Sequence, residues 1–214
     1  MKLYFFSCGF LKSTKGLFVN GGGNDAFCVP VPFFLIQHRG KNILFDTGNH
    51  CADMSGHLQE KLTRTVRPVF REEELAHHAI QTLGVQPENI HFIILSHLHH
   101  DHAGEICQFP NATVIVQQAE YDYAHRTDYF MEQTYYADEV PAQGIDWYFL
   151  LAADACYTTE NIADGVLPGL VLDSHAYLHN LVTFRLLQKT GVTIVPGHDP
   201  LQWQQFRHAP EYYA

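Results

Sequence analysis

Cysteine, basic residues and long apolar runs are all scarce in this chain, and each scarcity removes a class of protein. The five cysteines, Cys8, Cys28, Cys51, Cys107 and Cys156, are odd in number, scattered, and include no Cys-x-x-Cys pair, so a disulfide scaffold does not fit. Thirteen Lys and Arg against 23 Asp and Glu leave a formal charge of −10, the wrong sign for a surface that binds by neutralising phosphates. Nucleic acid is therefore not an expected partner, although divalent cations held by the chain would offset part of that charge locally. No window approaches the ~20 apolar residues of a membrane-spanning helix. The apolar opening Met1–Cys8 has a single basic residue and no small-x-small cleavage site before Lys12, so it reads as a strand. The expectation is a soluble cytoplasmic protein without a membrane partner. There is no repeat, no low-complexity tract and no Gly-x-Ser-x-Gly elbow, which sets aside a serine hydrolase, and no cysteine has a nucleophile's setting.

What is present is a well-packed globular composition, 46% apolar and 17% charged. A length of 214 residues suits one domain, 1–214, with a sizeable core. Several short apolar runs end abruptly in polar residues: Asn42-Ile43-Leu44-Phe45 before Asp46-Thr47-Gly48, Phe92-Ile93-Ile94-Leu95 before Ser96-His97, and Val192-Thr193-Ile194-Val195 before Pro196-Gly197-His198. These read as buried strands, with Thr113-Val114-Ile115-Val116 as another. Phe33-Phe34-Leu35-Ile36 joins the first of them across Arg39-Gly40, as a hairpin would. Between the strands, Glu72 to Leu83 carries Leu75, Ala79, Ile80 and Leu83 at helical spacing, with acidic residues in the first turn and Gly84 beyond the end. Leu178 to Lys189 predicts a second helix through Leu178, Leu181, Val182, Arg185 and Leu186, ended by Gly191. The fold class is α/β: sheets covered by helices on their outer faces.

The chemistry concentrates in His97-Leu98-His99-His100-Asp101-His102, directly after the strand ending at Leu95. Ligand crevices in α/β folds lie outside such strand ends. Neutral imidazole and carboxylate suit a borderline divalent ion such as Zn²⁺, and His97, His99, Asp101 and His102 can encircle one only from a loop. His100 fits no ligand position and reads as a residue behind the ligands or on the surface.

The stretch Ser96-His97-Leu98-His99-His100-Asp101-His102-Ala103-Gly104 resembles the His-x-His-x-Asp-His signature of the metallo-β-lactamase superfamily. Phe45-Asp46-Thr47-Gly48, Ala153-Asp154-Ala155-Cys156-Tyr157 and Pro196-Gly197-His198-Asp199-Pro200 follow in the same order, so the resemblance spans nearly the whole chain. It implies an αββα sandwich of two mixed β-sheets flanked by helices. Two divalent ions are implied, Zn²⁺ foremost with Fe, Mn or Co as alternatives. His97 and His99 would hold the first, Asp101, His102 and His198 the second, and Asp154 would bridge them. Asp46 would brace the metal-bearing loops from beneath, or is an ordinary turn aspartate. Within the superfamily, Asp154-Ala155-Cys156-Tyr157-Thr158-Thr159-Glu160-Asn161-Ile162 and Gln117-Gln118-Ala119-Glu120-Tyr121 look like the N-acyl-homoserine lactonases.

That resemblance implies attack of a metal-bound hydroxide on the carbonyl of a small lactone or ester, with Tyr157 touching the carbonyl and Asp101 passing a proton to the leaving oxygen. Thioesterases and phosphodiesterases of the same fold use a similar ligand set and stay open as alternatives, as does a non-catalytic metal-binding relative. A homodimer is compatible with the sequence.

One family element is missing. A Pro-Gly-His turn should supply a third histidine to the first metal before the bridging aspartate, yet Gly144-Ile145-Asp146-Trp147-Tyr148-Phe149 passes through Leu150-Leu151 directly into Ala152-Ala153-Asp154. The join near Leu150 reads as a deletion of several tens of residues. Either the chain lacks the segment, or His125, His175 or His179 substitutes, or the sequence as given omits a stretch. A lost neutral ligand should weaken the first site.

Overall fold

The computed structural model describes residues 1–55, 65–124, 149–189 and 191–214. Backbone contacts divide the chain into two compact units: 1–10 with 31–143 and 206–214, and 11–30 with 144–205.

A six-stranded sheet in the order β4-β1-β2-β3-β5-β6 lies mostly in the first unit, with residues 11–14 and 26–30 of its two long strands belonging to the second. Its strands are β1 (Lys2–Thr14), β2 (Ala26–His38), β3 (Lys41–Phe45), β4 (Arg67–Val69), β5 (Phe92–Ile94) and β6 (Thr113–Ile115). The opening segment is thus a strand, as its apolar run implies. β2 and β3 form the expected antiparallel hairpin, pairing Phe34 with Phe45 and His38 with Lys41. Arg39 and Gly40 both take positive φ, 47° and 74°, the twist that lets a two-residue turn close such a pair. β3, β5 and β6 run parallel, with Phe45 opposite Ile94 and Ile94 opposite Ile115, so the sheet is mixed. Phe5, Phe33, Leu35, Leu44 and Ile93 are fully buried in its core.

The segment 72–83 is not the single helix its spacing predicts. It is a 3₁₀ turn Glu72–Glu74, a helix Ala76–Ala79 and a second 3₁₀ turn Ile80–Leu83, ended by Gly84 at φ 72°. Leu75 interrupts it in an extended conformation (φ −61°, ψ 141°) with its side chain in the core. The acidic turn is capped separately, since the Arg71 N–H donates to Glu74 Oε2 at 2.7 Å. Burial of Leu75 and this local cap together outweigh helical continuity.

The second unit contains the parallel pair β7 (Phe149–Ala153) and β8 (Thr193–Pro196), the only strands of its sheet among the described residues. A helix Ser174–Lys189 packs Tyr177, Leu181 and Phe184 against Ala152, Cys156, Ile162 and Ile194. It begins four residues before the expected start, and of the predicted apolar set Leu178, Val182 and Leu186 face solvent instead. The two aromatic residues with Leu181 form the i, i+4, i+7 stripe that fills the space. A shorter helix, Thr159–Asp164, opens on a Thr158–Asn161 capping box and ends at Gly165, φ 69°.

Candidate metal centre

Register decides where the chemistry sits. Because β3 and β5 are parallel with Phe45 beside Ile94, the residues after them, Asp46-Thr47-Gly48 and Leu95-Ser96-His97, emerge at the same sheet end. Asp46 turns the chain with φ 57°. Buried at 2% exposure, its carboxylate accepts from the Ser96 N–H, the Ser96 hydroxyl and His102 Nδ1, each at 2.8 Å. Ser96 Oγ in turn lies 2.9 Å from His97 Nδ1. With their Nδ1 atoms engaged, both rings have Nε2 as the candidate ligand atom. Asp46 is therefore the brace that the resemblance implies rather than a mere turn residue.

His97, His99 and His102 converge. The His97 ring centroid lies 4.4 Å from that of His99 and 4.2 Å from that of His102. Asp101 Oδ2 is 3.6 Å from His102 Nε2. Two backbone bonds, His102 N–H and Ala103 N–H to the His99 carbonyl, wind the loop so that the candidate ligand side chains bunch. Gly104 is required here because a Cβ would lie 2.3 Å from His50 N and 2.6 Å from the His100 carbonyl. His100 is buried rather than superficial, with Nδ1 3.4 Å from Asp53 Oδ2.

The second unit repeats the device. β7 and β8 are parallel with Ala153 beside Pro196, so Asp154 and Gly197-His198 leave at one end. His198 donates from Nδ1 to the Pro30 carbonyl at 2.9 Å and sets Nε2 3.0 Å from Asp154 Oδ1. Gly197 has no room for a Cβ, which would stand 2.8 Å from the Ala153 carbonyl. Tyr157 is half-buried, its ring edge-on to Phe18 and His198 at 5.7 and 5.5 Å. Asp199 accepts from Leu201 N–H and Gln202 N–H, and from the Thr159 amide and hydroxyl, so the turn that carries His198 is tied to the one that follows Tyr157.

Of the histidines considered as substitutes for the missing ligand, His175 and His179 are exposed on the helix Ser174–Lys189, as surface residues are, and His125 lies outside the described residues. Three supporting residues were not singled out from sequence. Ser96 links Asp46 to His97, Glu120 Oε1 accepts the Leu98 N–H at 2.9 Å between the two histidines, and Glu105 meets His77. Glu120 stood within a recognised stretch, but its partner is 22 residues away and no local spacing announces it.

The donor set suits a borderline divalent ion: imidazoles held by carboxylate and hydroxyl partners, with carboxylates beside them, and no thiolate. Cys156, nearest in sequence to Asp154, is buried, which pushes its thiol far up, and it donates to the Thr158 carbonyl.

Residues 26–184 match the family model of the metallo-beta-lactamase superfamily. The N-acyl homoserine lactonase AttM of Azorhizobium caulinodans is 30% identical, with 100% of this chain and 98% of the relative covered. The N-acyl homoserine lactonase AiiA of Bacillus thuringiensis subsp. kurstaki is 29% identical over 86% of this chain and 87% of its own. A solved structure of a quorum-quenching N-acyl homoserine lactone hydrolase superposes with a TM-score of 0.80 at 27% identity, covering 99% of this chain and 98% of its own. The alignment with AttM runs over 260 positions against 214 residues here, so that relative has several tens of residues with no counterpart in this chain. Family model, relatives and fold agree with the braced histidine loop: this chain belongs to the metallo-beta-lactamase superfamily.

Proposed function

We propose that the chain is a metal-dependent hydrolase that opens the lactone ring of N-acyl-homoserine lactones or related lactones. The observation that carries the reading is likeness along the full length to proteins named as N-acyl homoserine lactonases, joined to a histidine loop whose ring nitrogens are already oriented by Asp46 and Ser96. In this reading the two units form a single domain, 1–214, since the family model runs through both. His97 and His99 would hold one ion and Asp101, His102 and His198 the other, with the Asp154 carboxylate available to both. Zinc fits the donors best, with iron, manganese or cobalt as alternatives. Ions bound there supply Lewis acidity and bring the pKa of water down to about 7.

The chain's own groups do the rest. The Tyr157 hydroxyl donates to the oxygen that gains charge as the ester carbonyl is attacked, a contact whose removal elsewhere costs about 3 kcal/mol. Asp101 passes a proton to the departing alkoxide, which is a poor leaving group without it. The substrate is a small ester; nucleic acid and membrane are not partners, the compartment is the cytoplasm, and a homodimer is tested by light scattering.

A second reading, a binding relative with a degraded first site, is favoured by one observation: no Pro-Gly-His turn precedes Asp154 in this sequence to supply the third histidine of the first site. Metal content and intact mass, measured on the same purified chain and followed by a panel of lactones, thioesters, β-lactams and phosphodiesters, separate the two. About two ions per chain with lactone opening supports the lactonase. One ion or none, with no turnover, supports the binder.

A further inference from the structure

Three residues past His102, Glu105 places a carboxylate in the interior of the first unit, with its side chain at 0% exposure. The proposed chemistry does not use it. Its Oε2 meets His77 Nδ1 on the helix Ala76–Ala79. Its N–H donates to Thr47 Oγ1 at 3.1 Å, and Thr47 donates through both its amide and its hydroxyl to the His102 carbonyl, at 2.7 and 3.1 Å. The preceding residue is locked as well, Gly104 N–H to Gly48 carbonyl at 3.0 Å.

A buried carboxylate is costly unless paired. Burial pushes Glu105 up to about 7, with Cys51 and His78 nearby opposing. Burial likewise holds His77 below its ordinary value, with Glu72 opposing. Such a pair adds little net stability, yet removing one partner leaves the other buried without compensation, so the two are held in one geometry. The geometry it fixes is the exit of the ligand turn: one end of the link is helix Ala76–Ala79, the other the backbone of His102.

We propose that Glu105 and His77 are positioning residues, a buried latch that holds the turn carrying His97, His99, Asp101 and His102 in its metal-binding shape. The inference rests on the metal-binding reading above. Glu105 lies outside the ligand motif, and its partner His77 sits on a helix 28 positions away in sequence.

Co²⁺ titration of the full chain, read by its visible absorption, tests it. Glu105→Ala and His77→Ala should each weaken Co²⁺ binding about tenfold and alter the absorption bands. Glu105→Gln, which keeps the shape and a hydrogen-bonding partner for His77, should restore both. Arg185→Ala serves as a control for general destabilisation: it removes hydrogen bonds in the second unit and should lower the melting temperature with the Co²⁺ spectrum unchanged. Wild-type affinity and spectrum in Glu105→Ala, or an equal loss in Arg185→Ala, overturns the latch while leaving the metal site intact. A wild-type chain that binds no Co²⁺ overturns the metal reading and the latch with it.

Discussion

The Asp46 carboxylate serves two residues of the Ser96–His102 segment at once, the Ser96 amide and hydroxyl and the His102 ring. Asp46→Ala should therefore lower metal affinity by about 10- to 100-fold, the usual consequence of removing a group that orients a ligand; competition with a chromophoric chelator measures it. Asp46→Asn should recover only part, since its amide nitrogen cannot accept from the hydroxyl or the ring N–H. Glu105 makes a different prediction, in pH. Its carboxyl titrates at about 7 in the fold against an ordinary 4.5, so the native state binds the proton more readily than the unfolded chain. The corresponding stability is fully present below pH 4.5 and lost as pH rises through about 7, by at most about 3 kcal/mol. Glu105→Gln should flatten urea-unfolding stability across that window; an unchanged slope would show that burial of this charge is compensated elsewhere.

Among elements, the helix Ser174–Lys189 separates what periodicity predicts from what packing selects. Leu181 and Val182 both lay in the predicted apolar pattern, yet Leu181 is 1% exposed and Val182 53%. Leu181→Ala should cost about 2–5 kcal/mol, whereas Val182→Lys should stay within about 0.5 kcal/mol, both read from denaturant midpoints. The same helix holds its neighbour through Arg185, whose guanidinium donates to the Ile162 and Ala163 carbonyls at 2.5 and 3.0 Å near the end of Thr159–Asp164. Those carbonyls have no partner within their own helix. Arg185→Ala should cost about 1–2 kcal/mol, and Arg185→Lys should not rescue it because a point charge cannot span both oxygens. Strands were legible because short apolar runs bounded by turn residues have few other readings. The break at Leu75 was not, since helical spacing is indifferent to whether one residue leaves the helix to enter the core.

At the scale of the molecule, the proposed metal centre at the strand ends would make stability depend on metal. Dialysis against a chelator should lower the melting temperature, and readdition of Zn²⁺ or Co²⁺ should restore it with a concentration dependence; a melting curve indifferent to chelation would count against the proposed centre. The sequence alone determined the candidate ligand types, their order and their place after apolar strands, because metal preference follows from donor chemistry and the spacing of the His97–His102 run is local. It also showed that a third histidine turn is missing. Only the tertiary structure brought together the partners around those candidate ligands: Asp46 at the His102 ring, Glu120 at the Leu98 amide and Glu105 at His77, joined across 56, 22 and 28 positions. Hydrogen bonds across such separations depend on parallel register and on which side chains the core admits, and neither is written in any short stretch of chain.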